Sequence, residues 1–456
     1  MVMLRTFEQC RKSWTLITRR FSGVLGVSIS LYSPAAAQTL EEALSLAYAA
    51  NPEIAVERAQ LDATREGVAQ ARAGGLPQIT AGAGYEKVDD TQSISSDVFG
   101  AGADSRNFKL DAATAQVQGE QQIFAGLRNV NAIRQAKART KAGGARLSLV
   151  EQDVLSRAAI AYFDVVRDMV VYRATENNVQ VLIKQFEEIA FRFDIGEVTK
   201  TDVAQSEARL AQARARMTSA QAQLAISRAA FAELIGQMPA SLEDAPVLPE
   251  TPETLEEAKA IARELSPFIA QAQMREEASR RGVAIAKGAF SPTVSLRAEY
   301  QYAEEPSSFI DQDERFAYGV RVTAPIFLGG LNLSHVREAR AVNRADRRRI
   351  SLAERQVESR ITSSWQRLAA ARANIVSSQT QVRANALALD GVRREAEVGE
   401  RTTLDVLDAE QEYLDAQVAL ANADRDARAA TFQLLAAIGL LTSQINDHAG
   451  RGQEVE

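Results

Sequence analysis

The sequence predicts a mixed α and β chain in which one unit (helix, β-hairpin, long helix, turn, helix) is written twice. Three observations carry this. Residues match one another at fixed offsets, two proline-free apolar stripes run far beyond ordinary helix length, and four alternating segments sit in pairs between the helices.

The matches come in two sets. Leu40-Glu41-Glu42-Ala43 is answered by Leu255-Glu256-Glu257-Ala258, Asn51-Pro52 by Ser266-Pro267, Pro77 by Pro292 and Tyr85 by Tyr300, all 215 residues apart. Phe124 is answered by Phe327, Tyr162 by Trp365, Gly196 by Gly399, Asp202-Val203 by Asp405-Val406, Glu207 by Glu410 and Ile235-Gly236 by Ile438-Gly439, all 203 apart. The offset changes once, by 12, where the first copy carries a polar insertion around Thr91 to Asn107. The organisation expected is a first repeat over residues 38–236, a Pro-rich acidic connector over 237–254, a second repeat over 255–440 and a tail over 441–456.

Residues 1–37 read as a secretory signal peptide. Arg5, Arg11, Lys12, Arg19 and Arg20 precede an apolar run from Phe21 to Tyr32, which ends at Pro34 and Ala35-Ala36-Ala37. About a dozen apolar residues fall short of the roughly 20 that span a bilayer. Arg19-Arg20 also fits a twin-arginine signal, although a basic leader accounts for the pair equally well. Cleavage after Ala37 removes five basic residues and Glu8, leaving 48 basic against 58 acidic residues and a net charge of -10. It also removes Cys10, the only cysteine, so the mature chain has no disulfide and no thiol for a lipid.

In the first copy the first helix, near residues 40–74, carries Leu40, Leu44, Ala47, Ile54, Leu61 and Val68 at helical intervals, and Gly74-Gly75-Leu76-Pro77 stops it, as Ser291-Pro292 does in the second. The period then changes to two. Ile79, Ala81, Ala83 and Tyr85 share one face, as do Val294, Leu296, Ala298, Tyr300 and Tyr302 in the second copy. Return strands follow near 108–123 and 314–326. Gln116, Gln118 and Glu120 hold the polar side of one, and Phe316, Tyr318, Val320 and Val322 the apolar side of the other. Alternation leaves two readings open. The strands could be part of an outer-membrane barrel, or they could form a four-stranded sheet packed on helices. Four strands cannot close, and an open edge is not tolerated in lipid, so a barrel would need other copies; three would supply twelve strands.

Residues 126–193 contain no proline. Leu147, Val150, Val154, Ala158, Ala161, Val165, Met169 and Tyr172, then Val179, Ile183, Phe186, Ala190 and Phe193, recur every three or four residues. A helix of that length spans about 100 Å and needs coiled-coil partners. Ala204, Ala208, Ala211, Ala215 and Ala222 permit close approach on a second side, in a solid bundle or a hollow ring. At the far end of each long helix stands a turn, Gly196-Glu197-Val198-Thr199-Lys200-Thr201-Asp202 and Gly399-Glu400-Arg401-Thr402-Thr403-Leu404-Asp405. Thr199 with Asp202, and Thr402 with Asp405, have capping-box spacing. Asp408 answers Gln205, so the repeat itself demands no carboxylate there; in a symmetric trimer Asp405 and Asp408 would place six carboxylates round one axis and attract cations.

Together with the leader and the doubled plan, the Pro325-Ile326-Phe327-Leu328-Gly329-Gly330 strand exit and the Asp-Val-Leu-Asp core of 405–408 resemble the TolC family of outer-membrane efflux and type I secretion channels. The resemblance covers the chain from Thr39 to about Leu441. It implies a homotrimer with a 12-stranded outer-membrane β-barrel continuous with a long periplasmic α-helical barrel. Such a duct serves an inner-membrane transporter of ABC or RND type through a periplasmic adaptor docked at Gly196, Glu197, Val198, Gly399 and Glu400. It further implies Asp405 and Asp408 at a closed pore entrance, and a gate latch in which Arg401 bonds Thr201. A second latch of the family joins the aspartate at position 202 to a tyrosine three residues before the second-turn glycine; here that residue is Ala396, so the latch is missing or remade. With no cysteine at the mature N-terminus, the chain is similar to the non-lipidated secretion branch.

Two other readings compete. A periplasmic adaptor shares long hairpin helices but calls for an inner-membrane anchor and a compact β module, and neither is visible. An exported enzyme would need a nucleophile–base cluster or a nucleotide-binding glycine motif, and none is present. With one Cys and two separated histidines, His335 and His448, no zinc site or Cys/His dyad is expected, nor any cofactor. A net charge of -6 gives no footprint for nucleic acid. His335 reads as a helix-surface residue.

Overall fold

The computed structural model describes residues 38–94, 104–239, 241–244, 246–307 and 310–441, with side chains described outside 90–110 and 305–309. The expected leader with Cys10, the tip of the first hairpin, and the tail with His448 lie outside them.

The elements in order are α1 (Leu40–Ala50), α2 (Pro52–Ala73), β1 (Gln78–Ile94), β2 (Asp104–Phe124), α3 (Arg128–Asp194), α4 (Lys200–Ile235), α5 (Leu255–Leu265), α6 (Pro267–Gly288), β3 (Thr293–Ser307), β4 (Ile310–Thr323), α7 (Leu331–Glu397) and α8 (Thr403–Ile438). The duplication is quantitative. The paired helices have 11, 22, 67 and 36 residues in both copies. It reaches single hydrogen bonds: the Asn129 amide donates to the Gly74 carbonyl at 2.9 Å, and its mate Asn332 to the Ala289 carbonyl at 3.2 Å.

The first helix of each copy is two helices, not one. Pro52 and Pro267 lack an N–H, and their rings push the preceding residue out of the helical region. Asn51 sits at φ -67°, ψ 125° and Ser266 at φ -63°, ψ 116°. Asn51 then caps α2, its side-chain oxygen accepting from the Glu53 N–H at 2.9 Å. The short α1 is fixed by a capping box: Glu42 N–H donates to Thr39 Oγ1, and Thr39 N–H to the Glu42 carboxylate, each at 3.2 Å.

The apolar stripes meet at mid-height. Leu40, Leu44 and Ala47 of α1 pack on Leu155, Tyr162 and Phe163 of α3, with Phe231 of α4 and Phe432 of α8 closing the cluster. Tyr162 and Phe163 make an edge contact at 5.6 Å, and Phe163 and Phe432 a tilted one at 5.7 Å. A mate cluster around α5 holds Ala258, Ile269, Ile361, Leu368, Leu434 and Ile438. Each large side chain buried here contributes roughly 1.5–3 kcal/mol. Toward the turns the core narrows to Val179, Leu182, Leu210, Ala213 and Leu407.

The strands form one antiparallel sheet in the order β1-β2-β3-β4, so β1 and β4 are both open edges. The two hairpins have the same register: Ile79↔Gly119 and Tyr85↔Ala113 in the first become Val294↔Val322 and Tyr300↔Phe316 in the second. The first hairpin is longer, because the polar insertion is strand as far as Ile94 and again from Asp104. The sheet does not pack on the helices. Ile79 is 74% exposed and Tyr318 81%, on the same face as Val117, Tyr300, Val320 and Val322, which are also exposed. On the opposite face Arg297 donates to Gln118 at 3.1 Å and to Glu299 at 2.9 Å. An apolar face bare in water is costly, and the same face in lipid is satisfied.

Candidate functional site

The two turns lie at the end of the coils remote from the sheet. Residues 194–202 and 397–405 are built alike. Each long helix ends in a left-handed glycine, Gly196 and Gly399 both at φ 83°, a conformation that costs a side chain with a Cβ. The Glu197 N–H returns to the Arg192 carbonyl and the Glu400 N–H to the Glu395 carbonyl, each at 2.9 Å, satisfying carbonyls that the helix end leaves unpaired.

The following helices start on capping boxes. The Asp202 carboxylate accepts from the Thr199 N–H at 2.8 Å and its hydroxyl at 2.7 Å; the Asp405 carboxylate accepts from the Thr402 N–H at 2.9 Å and its hydroxyl at 2.8 Å. These bonds hold both carboxyls below their usual range. The threonine hydroxyl is the main cause for Asp202 and the threonine N–H for Asp405, where the nearby Arg401 charge acts in the same direction. Both aspartates stay ionised and are engaged by their own helices.

Asp408 is not bare. It pairs with Arg209 of α4, and one heptad further from the turn Asp415 pairs with Arg216 at 3.3 Å. One heptad toward the turn, the same ladder reaches Asp202 and Arg401, with the charges exchanged between the helices. Within the single chain those two are turned away from each other. Asp202 caps α4, and the Arg401 Nε donates to Glu395 at 2.8 Å rather than to Thr201, an exposed residue. Sequence reasoning missed Arg209, Arg216 and Asp415; the signal was the seven-residue spacing shared by two segments at one offset. Gly196, Glu197, Gly399 and Glu400 are all exposed, Val198 is half-buried, and Phe191, Ile195 and Val398 add exposed apolar surface. Ala396 is half-buried and offers no hydroxyl to Asp202.

Above the turns a cavity of about 790 Å³ lies between α3, α7 and α8. Glu410 at its edge is 5% exposed, pairs with Arg393 and accepts from the Gln185 amide at 3.3 Å. That arrangement ties three helices together. Among the described residues no group of three or more His, Cys, Asp or Glu side chains is placed to hold a metal ion. His335 is exposed on α7. No described helix is long and apolar enough to cross a membrane, which bears only on helices.

Comparison with known proteins gives a consistent result. A family profile described as outer membrane efflux protein matches residues 43–237 and 260–440. The chain is 30% identical over 410 residues to the outer membrane efflux protein BepC of Brucella suis, covering 90% of this chain and 87% of that one. It is 26% identical to the outer membrane protein TolC of Vibrio cholerae, covering 91% and 94%. Two crystal structures share the fold. The outer membrane protein VceC of Vibrio cholerae has TM-score 0.73 at 22% identity, covering 88% of this chain and 96% of that one. The CmeC outer membrane channel of Campylobacter jejuni has TM-score 0.77 at 16% identity, covering 90% and 88%.

Proposed function

The chain belongs to the outer membrane efflux protein family, and on that premise we propose that three copies close into one exit duct, a 12-stranded barrel in the outer membrane continuous with a periplasmic α-helical barrel. It is an outer-membrane efflux duct and not an enzyme. The family match spans both repeats and so overturns the adaptor alternative.

The observation that carries the assembly is an interface used once inside the chain and left open once at its edge. Inside, β2 pairs with β3 with Val117 opposite Tyr300. The repeat offsets turn that pair into Val320 of β4 opposite Tyr85 of the next copy. The register keeps every apolar residue on one face, whereas a slip of one residue would reverse it. Glycines tell the same story. Gly126, at φ 61°, is pressed against the Gly288 carbonyl and Ser291, while its mate Gly329, at φ 58°, faces open space. A Cβ on Gly282 would meet the Gln135 amide at 3.1 Å, while one on its mate Gly67 would meet nothing within 4 Å. The vacant members are the surfaces a neighbouring copy fills.

Cysteine pairing tests this without background, since Cys10 lies in the leader region. Opposed residues on antiparallel strands have Cα atoms about 4.5–5.5 Å apart, within disulfide range. Tyr85→Cys with Val320→Cys is expected to give covalent trimers on oxidation, and Ala83→Cys with Val320→Cys is not. The reverse pattern would overturn the register.

The turns then form the periplasmic tip. Gly196, Glu197, Val198, Gly399 and Glu400 dock the adaptor of an inner-membrane ABC or RND transporter. Asp405 and Asp408 line the entrance, and Arg401 reaches Thr201 and Asp202 when the coils are closed. The heptad ladder supports this reading, because its next rung falls on Asp202 and Arg401. Single-channel recording of the assembled protein tests it: small, stable, cation-selective openings are expected, and large non-selective ones would rule out a closed entrance.

A further inference from the structure

We infer that the helices just beneath the strands carry two equivalent sites for the phosphodiester headgroup of an anionic phospholipid, formed by Arg72, Lys137 and Lys141 in the first repeat and Lys287, Arg340 and Arg344 in the second.

The observation begins with charge. The chain is acidic overall, yet residues 126–150 hold six basic residues and no acid. Lys287, Arg340 and Arg344 line a groove of about 390 Å³ between α6 and α7, with Val283 and Ala284 as its apolar floor. Arg280 and Arg347 at its end are neutralised by Glu277 and Glu276, but Lys287, Arg340 and Arg344 have no carboxylate partner among the described residues. The groove is written twice. At the repeat offsets its mates are Arg72, Lys137 and Lys141, with Val68 and Ala69 answering Val283 and Ala284, and those three cations likewise have no carboxylate partner among the described residues. Two copies that have diverged elsewhere keep a cation at three positions and the same two apolar residues beneath them.

All six cations are exposed. Assembly does not change this, and the chain itself supplies the control. α6 packs on α3 inside the chain through the Gln135 amide and the Ala278 carbonyl, at 3.0 Å, and Lys137 and Lys141 of α3 remain exposed beside that contact. By the repeat, α7 keeps Arg340 and Arg344 exposed when the next copy packs on it.

Height selects the ligand. Arg72 and Lys287 stand one residue from the ends of α2 and α6, at the level of the headgroups. Lys137 and Arg340 lie nine residues into α3 and α7, about 14 Å down, and their long side chains reach upward. Between these cations and the strands lies a ring of exposed apolar residues, with Phe290 52% and Phe327 83% exposed in the single chain. An apolar ring bordered by cations is the pattern of a membrane interface, where a basic cluster meets anionic headgroups.

The inference rests on the membrane-spanning trimer proposed above, so its test reads assembly separately. Purified full-length protein in detergent is offered phosphatidylglycerol or phosphatidylethanolamine, and retained lipid is measured by mass spectrometry. Phosphatidylglycerol is expected to be retained at least about fivefold better, with the preference falling at high salt. Arg72→Gln/Lys137→Gln/Lys141→Gln is expected to lose about half of it, the equivalent triple variant of the second repeat the other half, and the sixfold variant all of it. Exchanging Arg and Lys at the same positions is expected to preserve it. The Tyr85→Cys/Val320→Cys crosslink must still give trimers in each variant; if the sixfold variant does not assemble, the two triple variants decide. Equal retention of the two lipids, or retention unchanged in the assembled variants, would overturn the proposal. So would variants that keep the lipid but shift the reversal potential toward cations in neutral bilayers, because the grooves would then face the conduit.

Discussion

Asp408 of α8 is paired with Arg209 of α4 in the same chain, and Asp415 with Arg216 one heptad away at 3.3 Å. The carboxylate that the sequence offers as half of a cation-attracting ring is therefore partly neutralised before any assembly, and in the proposed duct Arg209 would help to set the charge at the entrance. The two side chains are 32% and 51% exposed, so the pair adds little to stability and acts on the local potential.

Removing that cation should sharpen block of the pore. Arg209→Ala is expected to lower the half-blocking concentration of a trivalent cation by about three- to tenfold. Asp405→Ala with Asp408→Ala should abolish block altogether. Single-channel recording reads both, and undiminished block in the double variant would remove these carboxylates from the entrance.

Arg401 has a carboxylate partner in its own chain, Glu395 at 2.8 Å, and Asp202 and Asp405 are already bonded to threonines. If Arg401 also crosses to Thr201 when the coils close, Arg401→Ala raises open-channel conductance. An unchanged value would mean that the guanidinium only ties down its own turn.

Acid should loosen the tips first. Asp202 and Asp405 have folded values below the ordinary 3.8, so each favours the folded turn above that pH and loses the effect as pH falls through its depressed value. Protection of the amides in the first turns of α4 and α8 against hydrogen exchange is expected to fall as the pH drops below 3.8, ahead of the mid-height core. Asp202→Asn with Asp405→Asn should flatten that dependence.

Leu127 precedes α3 as its N-cap at φ 59°, the one described non-glycine residue at positive φ, where the repeat places Gly330 at φ 82° before α7. Leucine pays about 1–2 kcal/mol in that region. Leu127→Gly is expected to recover about 1 kcal/mol, seen as a higher melting temperature of the assembled protein, and Gly330→Leu to lose a similar amount. A lower melting temperature for Leu127→Gly would show that the exposed side chain matters more than the backbone.

Local chemistry determined much of this protein from the sequence alone. The fixed offsets gave the duplication, the change from a period near 3.6 to a period of two gave helices and hairpins in order, and the Gly, Thr and Asp spacing gave the turns. These are short-range or repeated signals that need no knowledge of what packs where. The breaks at Pro52 and Pro267 were missed, although Asn51-Pro52 and Ser266-Pro267 disfavour a helical residue before the ring, because the apolar stripe runs on across them. Tertiary structure decided the rest. Arg209 and Asp408 are 199 residues apart, and nothing local to either requires the pair. Only the side-by-side placement of α4 and α8 turns two seven-residue spacings into a ladder. The same holds for Lys287, Arg340 and Arg344, which stand on two helices far apart in the sequence and are gathered round one groove by packing. Which face of the sheet is bare, which glycines are pressed and which stand open are likewise facts about neighbours. A sequence states the period of its own side chains, but contact between distant segments depends on how whole helices are laid against one another.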